Sequence, residues 1–374
     1  MLMPSRKLLT LLHGWLGSFS ALFIILVAGS GVMLAFVGEL FLVQYGDTLK
    51  ATPSNKPIAS ISTLIESAKQ GYQEDFQTVG VLMPHSRIEE IETAMVFVMP
   101  LEKDAEAGIR MISIDPWKVS YKGDFPLSGA FAHELIDFHF SFLLGNYGTV
   151  FVCILSILLI FFAATGLYLW WPKNNKVWRK ASTVNFRGSL KSICFSLHSW
   201  LGVWSALLII YFSLTGLALA KPEWFSPLLS PPTFSPPKSA GFDKTCAGKV
   251  TPNDAELAGS LAFPERELAT FFMPNTENGP YMLTYKAKGD NNKRDGDGRI
   301  YIHATCKDLV HIARADLSKF SVKITDMLLS LHGGYTFGKV LGVIMVVFAG
   351  VSLLIMTGTG LVTFFTRTLR KRKS

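Results

Sequence analysis

Four stretches of the chain are continuously apolar: Trp15–Phe36, Tyr147–Trp171, Leu201–Ala220 and Val340–Phe365. Each reaches the roughly 20 residues that a helix needs to span a hydrocarbon core. None alternates with period two. In a bilayer such sequence satisfies its backbone polar groups only as helix. The pattern therefore predicts four transmembrane helices. Between them lie two mixed stretches of about 100 residues, each long enough for a small domain with its own core. In the first, Ser60–Gly71 has helical spacing, and Val79–Met83 and Thr93–Val98 read as strands. Met111–Asp115 and Val119–Lys122 read as a hairpin around Pro116-Trp117. In the second, Tyr281–Lys286 and Arg299–Thr305 read as strands, Asn291–Gly298 as a turn-rich loop and Ser226–Pro237 as a proline-rich extended linker.

The expected division is an N-terminus with a first span (1–36), a first loop domain (37–138), a second span (139–171) and a basic loop (172–193). A third span (194–220), a second loop domain (221–330), a fourth span (331–366) and a basic tail (367–374) follow. The basic start before an apolar run has the order of a secretory signal. The run is too long for one and no Ala-x-Ala-like site follows, so a retained helix is expected.

Charge orients the helices. The chain of 374 residues has mean hydropathy +0.32 and a formal net charge of +8, which alone would fit a nucleic-acid binder. The positive residues instead flank the apolar blocks: Arg6 and Lys7; Lys173, Lys176, Arg179, Lys180, Arg187 and Lys191; Arg367, Arg370, Lys371, Arg372 and Lys373. No Asp or Glu falls within these three segments, and four crossings put all three on one side. The positive-inside rule makes that side the cytoplasm. A bacterial inner membrane is the expected location, with both loop domains periplasmic and no nucleic-acid partner. Cys246 and Cys306 fall in the second loop domain, where an oxidising compartment would allow a disulfide.

The chain repeats itself. At a shift of 185, His13-Gly-Trp-Leu-Gly meets His198-Ser-Trp-Leu-Gly, and 12 of the 23 positions from His13 to Ala35 are identical. His139 meets His332 at a shift of 193, and Thr165-Gly166-Leu167 meets Thr359-Gly360-Leu361 at a shift of 194. Two like-oriented halves predict a pseudo-two-fold axis along the membrane normal. The expected fold class is an α-helical membrane protein with four transmembrane helices in two pseudo-symmetric halves, plus two small α+β periplasmic domains.

Four of the eight histidines stand out. His13 and His198 open the first and third spans at the inner face. His139 and His332 precede the second and fourth at the outer face. Each level thus receives one histidine from each half, and two axial imidazoles are what a six-coordinate haem iron needs. Gly31 and Gly216 lie about 27 Å along their helices from His13 and His198, near the outer pair. Gly166 and Gly360 lie near the inner pair. Side-chain-free backbone at both levels is expected to clear a flat macrocycle. The plainer alternatives are boundary anchoring beside Trp15 and Trp200, and glycines that simply let helices pack closely. Bare zinc or copper fits less well, because two histidines make a poor closed site. His133, six residues before His139, has Asp326 as its counterpart; it is either a solvated residue or a haem-edge or substrate-side group. No C-x-x-C-H, G-x-G-x-x-G, P-loop, G-x-S-x-G or H-E-x-x-H occurs, so covalent haem and an internal nicotinamide or flavin site are not expected.

The two His-x-Trp-Leu-Gly segments, the Thr-Gly-Leu helix ends and Asp115-Pro116-Trp117-Lys118 resemble the PepSY-associated transmembrane family along nearly the whole chain. That family includes iron-regulated inner-membrane proteins, and a branch of similar size and layout comprises ferric-siderophore reductases. The resemblance implies two b-type haems, with His13, His198, His139 and His332 as axial ligands, and reduction of ferric siderophores on the periplasmic side. The electron donor would be a quinol or a cytoplasmic reductase. Two other uses stay open: a haem protein serving another periplasmic acceptor, and a non-redox binding or regulatory module.

Overall fold

The computed structural model describes residues 5–101, 108–171, 183–226, 228–229, 241–242, 244–290, 292–314 and 317–371. Lys173, Lys176, Arg179, Lys180, Arg372 and Lys373, Asn291 and most of the proline-rich linker lie outside them. The chain divides into a helical unit (1–35, 135–225 and 332–374) and a sheet unit (36–134 and 226–331).

In the helical unit, among the described residues, four helices are long and apolar enough to cross a membrane. They are α1 (Arg6–Leu34), α5 (Gly145–Trp170), α6 (Leu190–Ala220) and α9 (Lys339–Lys371). Ser5 caps α1 by accepting from the Leu8 amide, and Ser189 caps α6 by accepting from Ser192. α1 packs on α5 and α9, and α6 packs on the same two, so the repeat-related α1 and α6 occupy opposite corners of the bundle. Its apolar centre holds Ile24, Leu159, Leu201, Ile209 and Met356. Buried hydroxyls spend their protons within their own helix. Ser20 donates to Leu16 O at 2.8 Å, and its repeat mate Ser205 to Leu201 O at 2.7 Å.

Two of the spans start later than the sequence pattern placed them. His139 ends a separate short helix, α4 (Phe131–Ser141), and His332 ends another, α8 (Phe320–His332). Left-handed Phe142, Leu143 and Gly145 (φ 49°, 61° and 55°) break the chain before α5. Gly334 (φ 78°) and Gly338 (φ 80°) do so before α9. A Cβ at Gly334 would lie 2.9 Å from the Gly342 backbone, so this turn requires glycine. The apolar runs themselves, from Tyr147 and Val340, begin within two residues of α5 and α9; only the expected division at 139 and 331 placed the histidines inside the spans.

The sheet unit corrects the expectation of two separate small domains. It holds α2 (Val37–Leu49), α3 (Ile61–Gly71) and α7 (Pro252–Ala262), together with the start of α4 and all of α8 but His332. The first loop gives β1 (Phe76–Leu82), β2 (Ala94–Pro100), β3 (Arg110–Asp115) and β4 (Ser120–Pro126). The second gives β5 (Glu267–Phe272), β6 (Pro280–Lys286), β7 (Gly298–His303) and β8 (Val310–Arg314). All eight form one antiparallel sheet in the order β4-β3-β2-β1-β5-β6-β7-β8. The seam pairs Gly80 with Phe272, Val81 with Phe271 and Leu82 with Thr270. A Cβ at Gly80 would meet the Phe271 carbonyl oxygen at 2.7 Å, so glycine permits the close approach. One face carries a core shared by both loops: Ile61, Leu64, Ala68, Val81 and Ile112 with Ala255, Phe263, Phe271, Leu283 and Ile300. The Ile61 amide donates to Glu256 Oε2 at 3.0 Å, tying α3 to α7. A second cluster holds Phe41, Leu49, Met95, Met111 and Phe125, from α2 and the first-loop strands.

Cys246 and Cys306 form a disulfide, with Cα atoms 5.3 Å apart. Buried charges are paired: Arg299 with Asp326 at 2.9 Å, and Asp295 with both Arg87 and Arg294 at 2.9 Å. Burial alone would push the Asp295 carboxyl up, but the adjacent Arg294 and Arg87 hold it below the usual carboxylate range.

Candidate functional site: two histidine pairs in the helical unit

His13, His139, His198 and His332 all belong to the helical unit. They meet as the repeat pairs them. The His13 and His198 ring centres are 6.2 Å apart with planes at 77°, and those of His139 and His332 are 6.3 Å apart with planes at 44°. Because α1 and α6 sit at opposite corners, the first pair reaches across the bundle.

Every Nδ1 is engaged. His13 Nδ1 lies 3.0 Å from Thr165 Oγ1, and His139 Nδ1 lies 3.0 Å from Ser30 Oγ and 3.1 Å from Val27 O. His332 Nδ1 lies 3.1 Å from Thr215 Oγ1, and the Phe212 carbonyl also accepts from this ring. His198 Nδ1 lies 2.8 Å from Met356 O. Carbonyls only accept, so the rings donate to them. The hydroxyls also act as acceptors. Thr165 has given its proton to Phe161 O (2.7 Å), Ser30 to Leu26 O (2.8 Å) and Thr215 to Tyr211 O (2.9 Å). All four imidazoles are thus Nδ1–H tautomers. Among the described residues nothing hydrogen-bonds any of the four Nε2 atoms, so each level offers two neutral nitrogens with free lone pairs. A metal-binding histidine has this arrangement, its other ring N–H fixed by an outer acceptor.

The four glycines face imidazole rings. The Cβ positions of Gly31 and Gly216 lie 3.0 Å and 2.9 Å from Cε1 of His139 and His332. Those of Gly360 and Gly166 lie 3.2 Å and 3.6 Å from Cε1 of His198 and His13. What the missing side chains clear in this structure is the ring. Among the described residues no group of three or more His, Cys, Asp or Glu could hold a metal ion, so each level supplies two protein donors and not the four of a closed zinc site.

The family model for the PepSY-associated TM region matches residues 10–367, from just before His13 to the end of the fourth span. The chain belongs to the PepSY-associated TM family. No curated protein matches it in sequence. In this PepSY-associated TM protein, His133 falls in the sheet unit rather than with the four. It is half-buried on α4, and its amide donates to Ala130 O at 2.9 Å. His303 is structural: its Nδ1 accepts from the Thr305 and Cys306 amides beside the disulfide. Of the acceptors, Thr165 was noted in sequence only as the start of the repeated Thr-Gly-Leu helix end, and Ser30, Thr215, Val27, Phe212 and Met356 were not singled out. One signal was present: Ser30 and Thr215 align in the repeat, so a hydroxyl recurs there although the residue differs.

Proposed function

We propose that this protein is a transmembrane electron carrier that holds two b-type haems and reduces ferric siderophores on the periplasmic side, releasing iron(II). The ring spacing carries the reading. With metal–nitrogen bonds of about 2.0 Å and about 1.1 Å from nitrogen to ring centre, an imidazole–iron–imidazole unit separates its ring centres by about 6.2 Å. Both pairs sit at this spacing, 6.2 Å and 6.3 Å, and all four Nε2 lone pairs are free. His13 and His198 would hold the inner haem, and His139 and His332 the outer one.

A bis-imidazole haem supplies reversible one-electron transfer at an iron with no open position. The chain's own residues do the rest. Thr165, Ser30, Thr215 and the Val27, Phe212 and Met356 carbonyls keep the proton on Nδ1 and hold each ring. The apolar bundle keeps water away. The substrate class rests on the resemblance to ferric-siderophore reductases and on iron chemistry. Hard oxygen donors hold iron(III) tightly and the softer iron(II) poorly, so one electron frees the metal. By the positive-inside rule Arg6, Arg187, Lys191 and Arg367 face the cytoplasm. The inner pair would then take electrons from a quinol or a cytoplasmic reductase, and the outer pair would pass them on.

The test is a dithionite-reduced-minus-oxidised spectrum of the purified protein with haem counted per chain, followed by addition of ferric siderophores. Two low-spin b haems per chain, reoxidised as iron(II) appears, are expected. Two haems that ferric siderophores leave reduced would keep the electron carrier and remove the substrate. Absence of haem would remove the whole reading and favour a binding or regulatory module.

A further inference from the structure

The repeat is broken at one place in the histidine surroundings. At the outer pair both halves use the same device: a hydroxyl and a carbonyl one turn apart on a helix, Ser30 with Val27 for His139 and Thr215 with Phe212 for His332. At the inner pair the halves differ. His198 donates to a carbonyl, Met356 O, at 2.8 Å. Among the described residues His13 Nδ1 has Thr165 Oγ1 alone, at 3.0 Å, and no carbonyl accepts from it. The repeat counterpart of Thr165 is Thr359, whose hydroxyl back-bonds to Ile355 O at 2.7 Å and to Met356 O at 3.2 Å, and among the described residues makes no hydrogen bond to His198 itself.

We infer that Thr165 is the positioning residue of His13, fixing its tautomer and donor strength, and that Thr359 has no such role for His198. The inference rests on the di-haem reading. A backbone carbonyl cannot be mutated away, so His198 is secured by the fold itself. His13 is secured by one side chain. An acceptor on Nδ1–H makes the imidazole a stronger donor, which favours iron(III). Removing it weakens the ligand and raises the midpoint potential of the haem it binds.

Thr165→Val and Thr359→Val make a matched pair, because each deletes a 2.7 Å back-bond to the carbonyl four residues earlier. Any effect of that deletion on the helix is common to both. Redox titration and low-temperature electron paramagnetic resonance of the purified di-haem protein read the result. Expected for Thr165→Val is an upward shift of one midpoint and an altered low-spin signal for the same haem, the one that His13→Ala removes. The other haem should stay unchanged, Thr165→Ser should restore both readings, and Thr359→Val, which removes only a competing donor to Met356 O, should raise neither midpoint. A silent Thr165→Val, or a Thr359→Val with the same effect, overturns the inference while the di-haem reading stands. A protein that binds no haem overturns both.

Discussion

His332→Ala separates the two levels. It removes one member of the outer pair, leaving His139 without its partner ring 6.3 Å away. Haem content should fall from two per chain to one, or the outer haem should turn high-spin. The inner haem should keep its low-spin spectrum. The size of the effect on the survivor follows from the spacing of the levels. His139 is hydrogen-bonded to Ser30, and His13 lies 17 residues before Ser30 on α1. At 1.5 Å rise per residue the levels are about 25 Å apart. At an effective dielectric constant of about 20, two unit charges at that distance interact by about 0.7 kcal/mol. For one electron this is about 30 mV. The inner midpoint should therefore move by no more than about 30 mV when the outer haem is lost. Spectroelectrochemistry of the variant, with folding checked by circular dichroism, measures both. Loss of both haems from a folded protein would refute the division into levels. So would an inner shift several times larger. Two intact low-spin haems would refute His332 as a ligand.

Gly216→Ala should lower stability by about 1–2 kcal/mol, since its Cβ would lie 2.9 Å from a ring held by Thr215 and Phe212. Gly166→Ala, at 3.6 Å from His13, should be neutral or gain up to about 1 kcal/mol of helix propensity; thermal unfolding distinguishes the two. Removing the disulfide that closes a separation of 60 residues, by Cys306→Ser, should cost about 4 kcal/mol by loop entropy, read as earlier proteolysis of the sheet unit. Asp295 has a depressed pKa, so its contribution is complete above the unfolded value of 3.8 and is lost as pH falls through the lower folded value. Arg87→Leu removes one of the cations that depress it, and acid unfolding followed by tryptophan fluorescence should then begin at higher pH.

The four spans and the pairing of the histidines were legible because both rest on periodic or repeated sequence. Continuous apolar runs need only composition, and a shift of 185 exposes His13 with His198. The strands β1, β2, β3, β6 and β7 were legible from β-branched and aromatic runs. β5 and β8 were not, and neither was α7: Glu267 starts β5, and β8 is short and half-exposed. The merging of the two loops into one sheet left no local trace, because pairing of Gly80 with Phe272 depends on residues about 190 apart. The starts of α5 and α9 were legible from the apolar runs at Tyr147 and Val340, whereas the separate short helices α4 and α8 that carry His139 and His332 were not. Three of the acceptors behind the histidines, Val27, Phe212 and Met356, were invisible because they are main-chain carbonyls, which any residue supplies.

The β1–β5 seam ties the sheet to the order of synthesis. When β1 leaves the ribosome, its partner strand is still about 190 residues away, behind α5 and α6. At about 5–20 residues per second this is an interval of roughly 10–40 seconds. Throughout it, the Gly80–Leu82 edge presents unpaired amides and carbonyls, the feature that recruits foreign strands. Gly80, bare so that Phe271 can approach, leaves that edge without a protecting side chain. The entropic cost of closing so long a loop grows only logarithmically, so the delay is kinetic and not a weakness of the finished sheet. A chain cut short before β5 would keep the edge open for good, and the same strand of a second truncated copy would be the nearest replacement.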